Sequence, residues 1–333
     1  MKRTLLYCYF FLTSFYCIAQ TDINQLHETA KTFMRQGDYP NAILVLNRGI
    51  QQDPKNMALA KDLAFSYYYN KDSKKALEII KPLLDRDEVD DQCYQIAGNI
   101  YKDLVMLKEC EKLYKKGIKK FPGNGALYSD YGELLWAQKN YEAIKQWEKG
   151  IELDPSYPRN YYNAARYYYL TTDKIWSILY GEIFINMEPL GRNTPELKDI
   201  LLESYKKLFT DVNLEQNDKN KTDFEKAFLQ SMNKQFAVAS QGINTETLTM
   251  IRTRFILDWI TNNQSKFPYK LFEYQQQLMQ EGLFDAYDQW IFGSSENLPA
   301  FQNWTNTHKE EYIAFTNFQK GRTFKVPGGQ HYK

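Results

Sequence analysis

The 333-residue chain is 43% hydrophobic and 25% charged, a composition typical of folded proteins that bury one or more cores. Its formal net charge of +1 argues against a polyanion binder that works by bulk electrostatics. Aromatic residues make up 16% of the chain, with 26 tyrosines among them. Because tyrosine joins a large apolar ring to a hydrogen-bonding hydroxyl, it suits both helix packing and recognition surfaces.

Residues 1–19 have the pattern of a secretory signal peptide. Lys2-Arg3 precedes an apolar run over residues 5–17, and Cys17-Ile18-Ala19 fits a small-x-small cleavage site. The run is shorter than the roughly 18 residues that are needed to span a bilayer. We therefore predict cleavage after Ala19 and an exported protein, periplasmic or extracellular. Retention of the segment as an anchor and lipidation are the alternatives.

A pattern of small residues, aromatics and prolines then returns about every 34 residues between positions 23 and 189. Each unit carries one small residue in a first helix and one in a second helix, which lets the two helices approach closely. A proline ends most units, because it disfavours helical conformation in the residue before it. The recurring residues are Ala30, Ala64, Gly98, Gly132 and Ala165 in the first helices, Ala42, Ala76, Cys110, Ala143 and Ser177 in the second helices, and Pro54, Pro122, Pro155 and Pro189 at the ends.

This constellation resembles the tetratricopeptide repeat (TPR) family over residues 23–189. The resemblance implies an all-α fold in which helical hairpins stack into a solenoid, each covering a face of its neighbour. We accordingly expect five TPR-like hairpins in residues 20–189. The departures are mild: Glu88 stands where the second unit should have its proline, and the fifth unit is degenerate.

The resemblance also implies a concave groove lined by the first helix of each hairpin. Aromatic rings mixed with cations on that wall would suit an extended peptide. The alternative for the two tyrosine triplets, 67–69 and 167–169, is packing between helices, because at least one ring of each triplet must face inward. The candidate groove residues are Arg35, Lys61, Phe65, Tyr68, Tyr69, Lys102, Trp136, Tyr162, Arg166 and Tyr169.

Beyond residue 189 the period is lost, but helical patterning continues. We predict helices over 194–209, 223–236 and 245–259, another after Pro268, and a polar loop over 211–221. The density of aromatics near the end requires burial, so residues 190–333 are expected to form a C-terminal α-helical domain that caps the solenoid. The last residues, 325–333, are expected to be frayed.

The sequence offers no recognisable catalytic constellation. The chain has three histidines, and none is paired with another histidine or a cysteine at metal-ligand spacing. A partial calcium pattern that begins at Asp211 fails because Gln216 replaces the required glycine. We therefore predict no catalytic residue, no cofactor and no metal site. Cys93 and Cys110 are expected to be buried free thiols.

The leading hypothesis is an exported TPR adaptor or scaffold that binds a protein or peptide partner in the groove, with no nucleic acid as partner. One alternative is an envelope component that binds carbohydrate or another nutrient, because tryptophan and tyrosine also stack on sugar faces. A second alternative is an enzyme with an unrecognised site in residues 190–333. The identity of the partner and the oligomeric state are left open.

Overall fold

The computed structural model describes residues 22–210 and 221–333, and within them every regular element is helical. The all-α class of helical hairpins predicted from the sequence is confirmed. The predicted signal peptide, and the predicted loop apart from its last residue, lie outside the described residues. The chain divides into two compact units at Leu104 and Val105. We name their described residues unit 1 (22–104) and unit 2 (105–210 and 221–333). The predicted domain boundary near residue 190 stays a prediction.

Unit 1 consists of five helices, each of which packs on the next along the chain. Every one of them begins after an aspartate or asparagine whose side chain accepts a hydrogen bond from a backbone N–H of the first turn. The sequence therefore encodes each helix start locally. The helices are α1 (Ile23–Gln36), α2 (Tyr39–Gln52), α3 (Met57–Tyr69), α4 (Ser73–Leu83) and α5 (Asp91–Asp103).

The core of unit 1 contains the predicted small residues. Ala30 and Ala42 are fully buried, and Leu46 and Leu59 fill the space beside them. Gly37 ends α1 at a positive φ of 75°, a conformation that glycine adopts without steric cost. Small residues at the contact and leucines around it thus give the close helix packing that the repeat predicts.

The first half of unit 2 continues the hairpin pattern. Helix α7 packs on α8, and α9 packs on α10. Gly132 of α7 lies against the Trp147 indole of α8, and a Cβ added at Gly132 would collide with that ring. Only glycine therefore fits this close contact. The helices are α6 (Leu107–Lys120), α7 (Gly125–Ala137), α8 (Ala143–Leu153), α9 (Pro158–Tyr169) and α10 (Lys174–Met187).

The second half of unit 2 is a set of less regular helices. Three of them begin where the sequence predicts, but the helix expected over 223–236 ends at Asn233 and a short one follows. The elements are α11 (Thr194–Thr210), α12 (Asp223–Asn233), α13 (Phe236–Ala239), α14 (Thr245–Asn262), α15 (Lys270–Gln280), α16 (Phe284–Asp288), a π-helical segment (Gln289–Gly293), α17 (Ser294–Glu296), α18 (Leu298–Thr307) and α19 (Lys309–Lys320).

Helix α10 lies at the centre of unit 2 and contacts α9, α11 and α15. Its residues 174–186 are all buried, as expected for a helix that is apolar on every side. Its one acidic residue, Glu182, pairs with the buried Arg252 of α14, which also pairs with the buried Asp288 of α16. This ion network ties the last hairpin to the helices that follow it.

The structure differs from the sequence expectation at residues 325–333. Their proline and two glycines predict fraying, yet Tyr332 stacks on Phe224 with 4.7 Å between ring centroids. Lys333 Nζ lies 3.0 Å from carboxylate oxygens of both Asp173 and Glu225. Ring stacking and paired charges thus hold a segment whose backbone alone would favour disorder.

Candidate functional site

Each unit carries a groove that is lined mainly by the first helices of its hairpins. In unit 1 the groove encloses about 280 Å³ on α1, α3 and α5. We name it the unit 1 groove. Its lining combines aromatic rings with side-chain amides, and consists of Met34, Lys61, Asp62, Phe65, Tyr68, Tyr69, Gln92, Gln95, Ile96 and Asn99.

The charged residues of the unit 1 groove are already paired. Asp62 Oδ2 lies 2.7 Å from His27 Nε2. Lys61 forms an ion pair with Asp90, and its Nζ donates to Gln92 Oε1 at 2.8 Å. A ligand would therefore contact mostly aromatic rings and side-chain amides in this groove. The amides can hydrogen-bond to the backbone of a peptide of any sequence.

Three rings of α3 and one of α2 form a continuous aromatic cluster beside these amides. Tyr69 stacks on Tyr39 at 5.2 Å and contacts Phe65 at 4.4 Å between centroids. Tyr68 meets Tyr69 edge-on at 5.2 Å. Tyr69 is 45% exposed, so the cluster presents an apolar face to solvent. Burial, together with the negative charge of Asp103, raises the pKa of Tyr68, which therefore keeps its hydroxyl proton.

The groove of unit 2 is larger, about 750 Å³. It runs over α7, α9, the turn before α11, and α11 itself. We name it the unit 2 groove. Both signs of charge and several rings line it: Glu133, Trp136, Trp147, Arg159, Tyr162, Asn163, Arg166, Tyr167, Tyr169, Leu170, Arg192, Asn193, Glu196, Asp199, Ile200 and Glu203.

Two arginines of α9 are held in place by carboxylates from neighbouring helices. Arg159 Nε lies 2.5 Å from Glu133 Oε1, and Arg166 Nε lies 2.9 Å from Glu196 Oε1. The Tyr162 hydroxyl donates to the other oxygen of Glu196 at 2.7 Å. Burial, reinforced by Glu196, raises the pKa of Tyr162 to about 12, so this hydroxyl remains a donor at neutral pH.

Two further charges in the unit 2 groove have no such partner. Arg192 and Asp199 are exposed and form no ion pair with any residue in the described ranges. In the same lining, the Trp136 and Tyr167 rings meet at 68° with centroids 5.8 Å apart. The groove therefore offers an open cation, an open carboxylate and aromatic faces at one place.

Eight of the ten residues predicted from the sequence line these two grooves. Arg35 and Lys102 do not; the guanidinium of Arg35 instead donates to Thr32 on its own helix. In the second tyrosine triplet, Tyr168 is the buried ring, and its hydroxyl donates to Glu148 at 2.5 Å. Whether the groove residues bind a partner stays a prediction.

The repeat pattern does not predict the contribution of α11 and of the turn before it. Arg192, Glu196 and Asp199 lie beyond the last periodic unit, so no repeat register assigned them to the groove. The available signal was Thr194-Pro195-Glu196, which marks a helix start directly after the fifth hairpin. A further hairpin-like step from α10 to α11 would have extended the wall by one helix.

The described residues limit the chemistry that this surface supports. They hold no group of three or more His, Cys, Asp or Glu side chains placed to bind a metal ion. None of the helices that the structure describes is long and apolar enough to cross a membrane. The grooves present packing surfaces, hydrogen-bonding groups and paired or open charges, which are the elements of a binding surface.

The family model of the tetratricopeptide repeat matches residues 33–100. These residues lie in unit 1 and include Ala64 and Gly98, two of the recurring small residues of the first helices. The predicted resemblance to this family is thereby confirmed over residues 33–100. A search of curated proteins found no match to the chain.

Several solved structures have a similar fold. A TPR protein of Thermus thermophilus, TTC0263, is 14% identical with a TM-score of 0.45, covering 55% of this chain and 99% of its own. PilF of Pseudomonas aeruginosa is 15% identical with a TM-score of 0.49, covering 63% and 96%. YrrB, a TPR protein with an unusual peptide-binding site, is 15% identical with a TM-score of 0.38, covering 53% and 92%. At these identities the similarity concerns the fold alone.

Proposed function

We propose that this protein is an exported adaptor or scaffold that binds a peptide segment of a partner protein in the unit 2 groove. The observation that carries the proposal is the juxtaposition of open charges, Arg192 and Asp199, with the aromatic faces of Trp136 and Tyr167. Export is supported by the pattern of residues 1–19. The role is one of binding rather than catalysis.

The unit 2 groove has the size and the side chains to bind a peptide segment. Its volume of about 750 Å³ falls within the roughly 300–1,000 Å³ of typical ligand sites. Aromatic rings and arginines dominate the binding energy of protein interfaces, because they bury large areas and make directional hydrogen bonds. Arg159 and Arg166 are held by carboxylates before any ligand arrives, which lowers the entropic cost of binding.

The test is site-specific photo-crosslinking in the full chain. A photoreactive phenylalanine analogue replaces Tyr167 in the groove or, as a control, Leu257, which is 55% exposed on α14. After irradiation in an envelope extract, we expect the groove position to capture one partner segment, identified by mass spectrometry. Equal capture at both positions, or capture only at Leu257, would contradict the proposal.

The identified segment is then synthesised and titrated against purified variants. Arg166→Ala combined with Arg192→Ala removes two exposed cations from the groove, and we expect at least a tenfold loss of affinity, which corresponds to about 1.4 kcal/mol. Lys226→Ala on α12 is the control, because this exposed cation is absent from the described lining of the groove. Unchanged affinity in the double variant would show that the two arginines do not contribute to binding.

A second candidate function, binding of a neutral carbohydrate, is supported by a separate cavity of about 420 Å³ in unit 2. Trp304 and His308 stack there with 4.6 Å between ring centroids. The described lining includes four side-chain amides and two carboxylates but no lysine or arginine, a set that suits sugar hydroxyls and not anions. The members are Asn244, Thr245, Glu246, Gln289, Gly293, Glu296, Asn297, Ala300, Phe301, Asn303, Trp304, Thr307 and His308.

This candidate is tested by calorimetric titration with a panel of neutral oligosaccharides. We expect Trp304→Ala to abolish any binding that the unaltered protein shows, because the indole is the only tryptophan in the described lining of this cavity. Phe236→Ala, at an exposed aromatic on α13, is the control and should bind equally well. Absence of heat with every sugar would remove the candidate.

A further inference from the structure

The final residues of unit 2 occupy a built slot. The Tyr332 ring lies parallel to Phe224, with 4.7 Å between centroids and 13° between planes, and it meets Phe267 edge-on at 5.7 Å. The Tyr332 hydroxyl donates to the carbonyl of Pro268 at 2.8 Å. We name residues 327–333 the tail segment, and the residues that receive its end the tail slot: Asp173, Phe224, Glu225, Phe267 and Tyr269.

The slot also holds a cation. Lys333 Nζ lies 3.0 Å from Asp173 Oδ2 and 3.0 Å from Glu225 Oε1, and it lies over the ring of Tyr168 at 5.1 Å. Glu225 is fixed independently of the tail, because the indole of Trp176 donates to it at 2.5 Å. The lysine therefore enters a site whose negative charge the rest of the fold has already positioned.

One carboxylate oxygen of the tail slot could accept an additional hydrogen bond. Asp173 Oδ1 is buried and has no hydrogen-bond partner among the residues that the structure describes. A buried acceptor without a partner costs free energy, and a ligand with an additional donor would recover it. The slot thus can hold a cation with more donors than the tail segment presents.

The first residues of the tail segment, 327–329, form a linker that restrains its end only weakly. Pro327, Gly328 and Gly329 are exposed, and Gly329 has a positive φ of 83° with no atom near its missing side chain. Phe324 before them is buried and anchors the chain. The segment can therefore leave its slot by rotation in this linker while α19 stays packed.

We propose that the tail slot is a recognition site for an aromatic residue followed by a cationic one, and that Tyr332-Lys333 occupies it as a detachable intramolecular ligand. A partner segment with the same pair of residues would compete with the tail segment for the slot. Tethering gives the tail segment a high effective concentration, so the slot stays closed until such a partner is present in excess.

This inference is separate from peptide binding in the unit 2 groove. None of the five slot residues belongs to the described lining of that groove. A failure of one proposal therefore leaves the other standing, and the two are tested with different variants.

The first experiment uses the full chain with Tyr332→Ala and Lys333→Ala, which empties the slot without shortening the protein. The probe is a fluorescent, amidated peptide of sequence GGQHYK, and binding is followed by anisotropy. We expect saturable binding to the double variant and at least tenfold weaker binding to the unaltered protein. Peptides with alanine in place of the tyrosine or of the lysine should bind the double variant at least tenfold more weakly.

Adding Asp173→Asn to the double variant tests the charge. It should weaken binding of the GGQHYK peptide at least tenfold, but leave unchanged the binding of a peptide in which norleucine replaces the lysine. Equal binding of GGQHYK and a scrambled peptide to the folded double variant, or no binding at millimolar concentration, would overturn the proposal.

Hydrogen exchange on the unaltered protein covers the case in which the double variant does not fold. We expect the amides of residues 330–333 to exchange at least tenfold faster than those of α12 and α15, because the segment opens locally. Excess GGQHYK peptide should accelerate the exchange of residues 330–333 further. If these amides exchange only when the whole of unit 2 unfolds, the segment is not detachable and the proposal is wrong.

Discussion

The two units differ in how far they bury their polar and charged side chains. Among the described residues of unit 1, the buried polar side chains are Ser66 and Ser73, and its ion pairs involve side chains that are at least partly exposed. Unit 2 buries five charged residues, including the fully enclosed Arg252 with Glu182 and Asp288. Unit 1 is held mainly by apolar contact, whereas unit 2 adds a buried network of ionisable side chains to its core.

The difference follows from how regular the repeats are. Hairpins in register offer complementary apolar faces to one another, so close packing alone specifies their arrangement. The helices after α10 have no such register. A buried arginine that must reach two carboxylates on different helices admits few arrangements, at the cost of removing three charges from water. In unit 2 this network has the geometry to specify which helices pack together.

The largest expected effect comes from removing the arginine of this network. Arg252→Met leaves two carboxylates buried without their cation, and we expect a loss of about 3–5 kcal/mol in the free energy of unfolding. Denaturation is followed by tryptophan fluorescence, because the 6 tryptophans of the chain all belong to unit 2. Arg254→Met, at an exposed position of the same helix, is the control and should change stability by less than about 0.5 kcal/mol.

The next largest effect is expected from a substitution in the apolar core of unit 1. Leu46→Ala removes a fully buried side chain and should cost about 2–5 kcal/mol, because a cavity is left behind. The measurement is hydrogen exchange in α1 and α2. Leu44→Ala, at a leucine that is 59% exposed two residues away, is the control. If Leu46→Ala also shifts the unfolding transition of unit 2, followed by tryptophan fluorescence, by the same amount, the two units unfold together. The two units would then not be stabilised independently.

A smaller effect tests the close helix contact in unit 2. Gly132→Ala adds a Cβ that collides with the Trp147 ring, and overpacking of this kind costs about 1–3 kcal/mol. Gly123→Ala meets no atom within 4 Å and should be neutral or slightly stabilising. Thermal melting of the two variants side by side distinguishes them. Equal melting temperatures would show that the tryptophan moves aside without cost.

The last expected effect is a pH dependence of unit 2. Burial raises the pKa of Asp288 to about 7, although Arg252 opposes the shift. Because an unfolded aspartate has a pKa of about 3.9, the folded state holds this proton more tightly, and the contribution to stability is lost as pH rises from about 4 to 7.

Comparison with Asp288→Asn isolates this contribution. The difference in unfolding free energy between the unaltered protein and the variant should become less favourable to the unaltered protein as pH rises through this window. Position 288 contacts Arg252, which in turn contacts Glu182. Both of these residues are present in the unaltered protein and in the variant. A difference that does not vary with pH would mean that Asp288 is ionised throughout.

Much of the repeat region could be predicted from the sequence, because its information is local. The capping residues before each helix of unit 1, the small residues at helix contacts and the prolines at unit ends each act within a few residues of the chain. The same register placed eight of ten candidate residues in the two grooves. Arg35 and Lys102 do not line either groove, and whether any of the ten binds a partner stays a prediction.

The sequence by itself determined the helical class and the repeating pattern of helical hairpins, because periodic apolar patterns encode which side of a helix is buried. Only the tertiary structure decided that α11 extends the unit 2 groove, that Arg252 joins Glu182 to Asp288, and that Tyr332 and Lys333 are docked and not frayed. These contacts join residues from about 30 to 160 positions apart. No local pattern encodes such pairs, since they form only when the packing of the intervening helices brings them together.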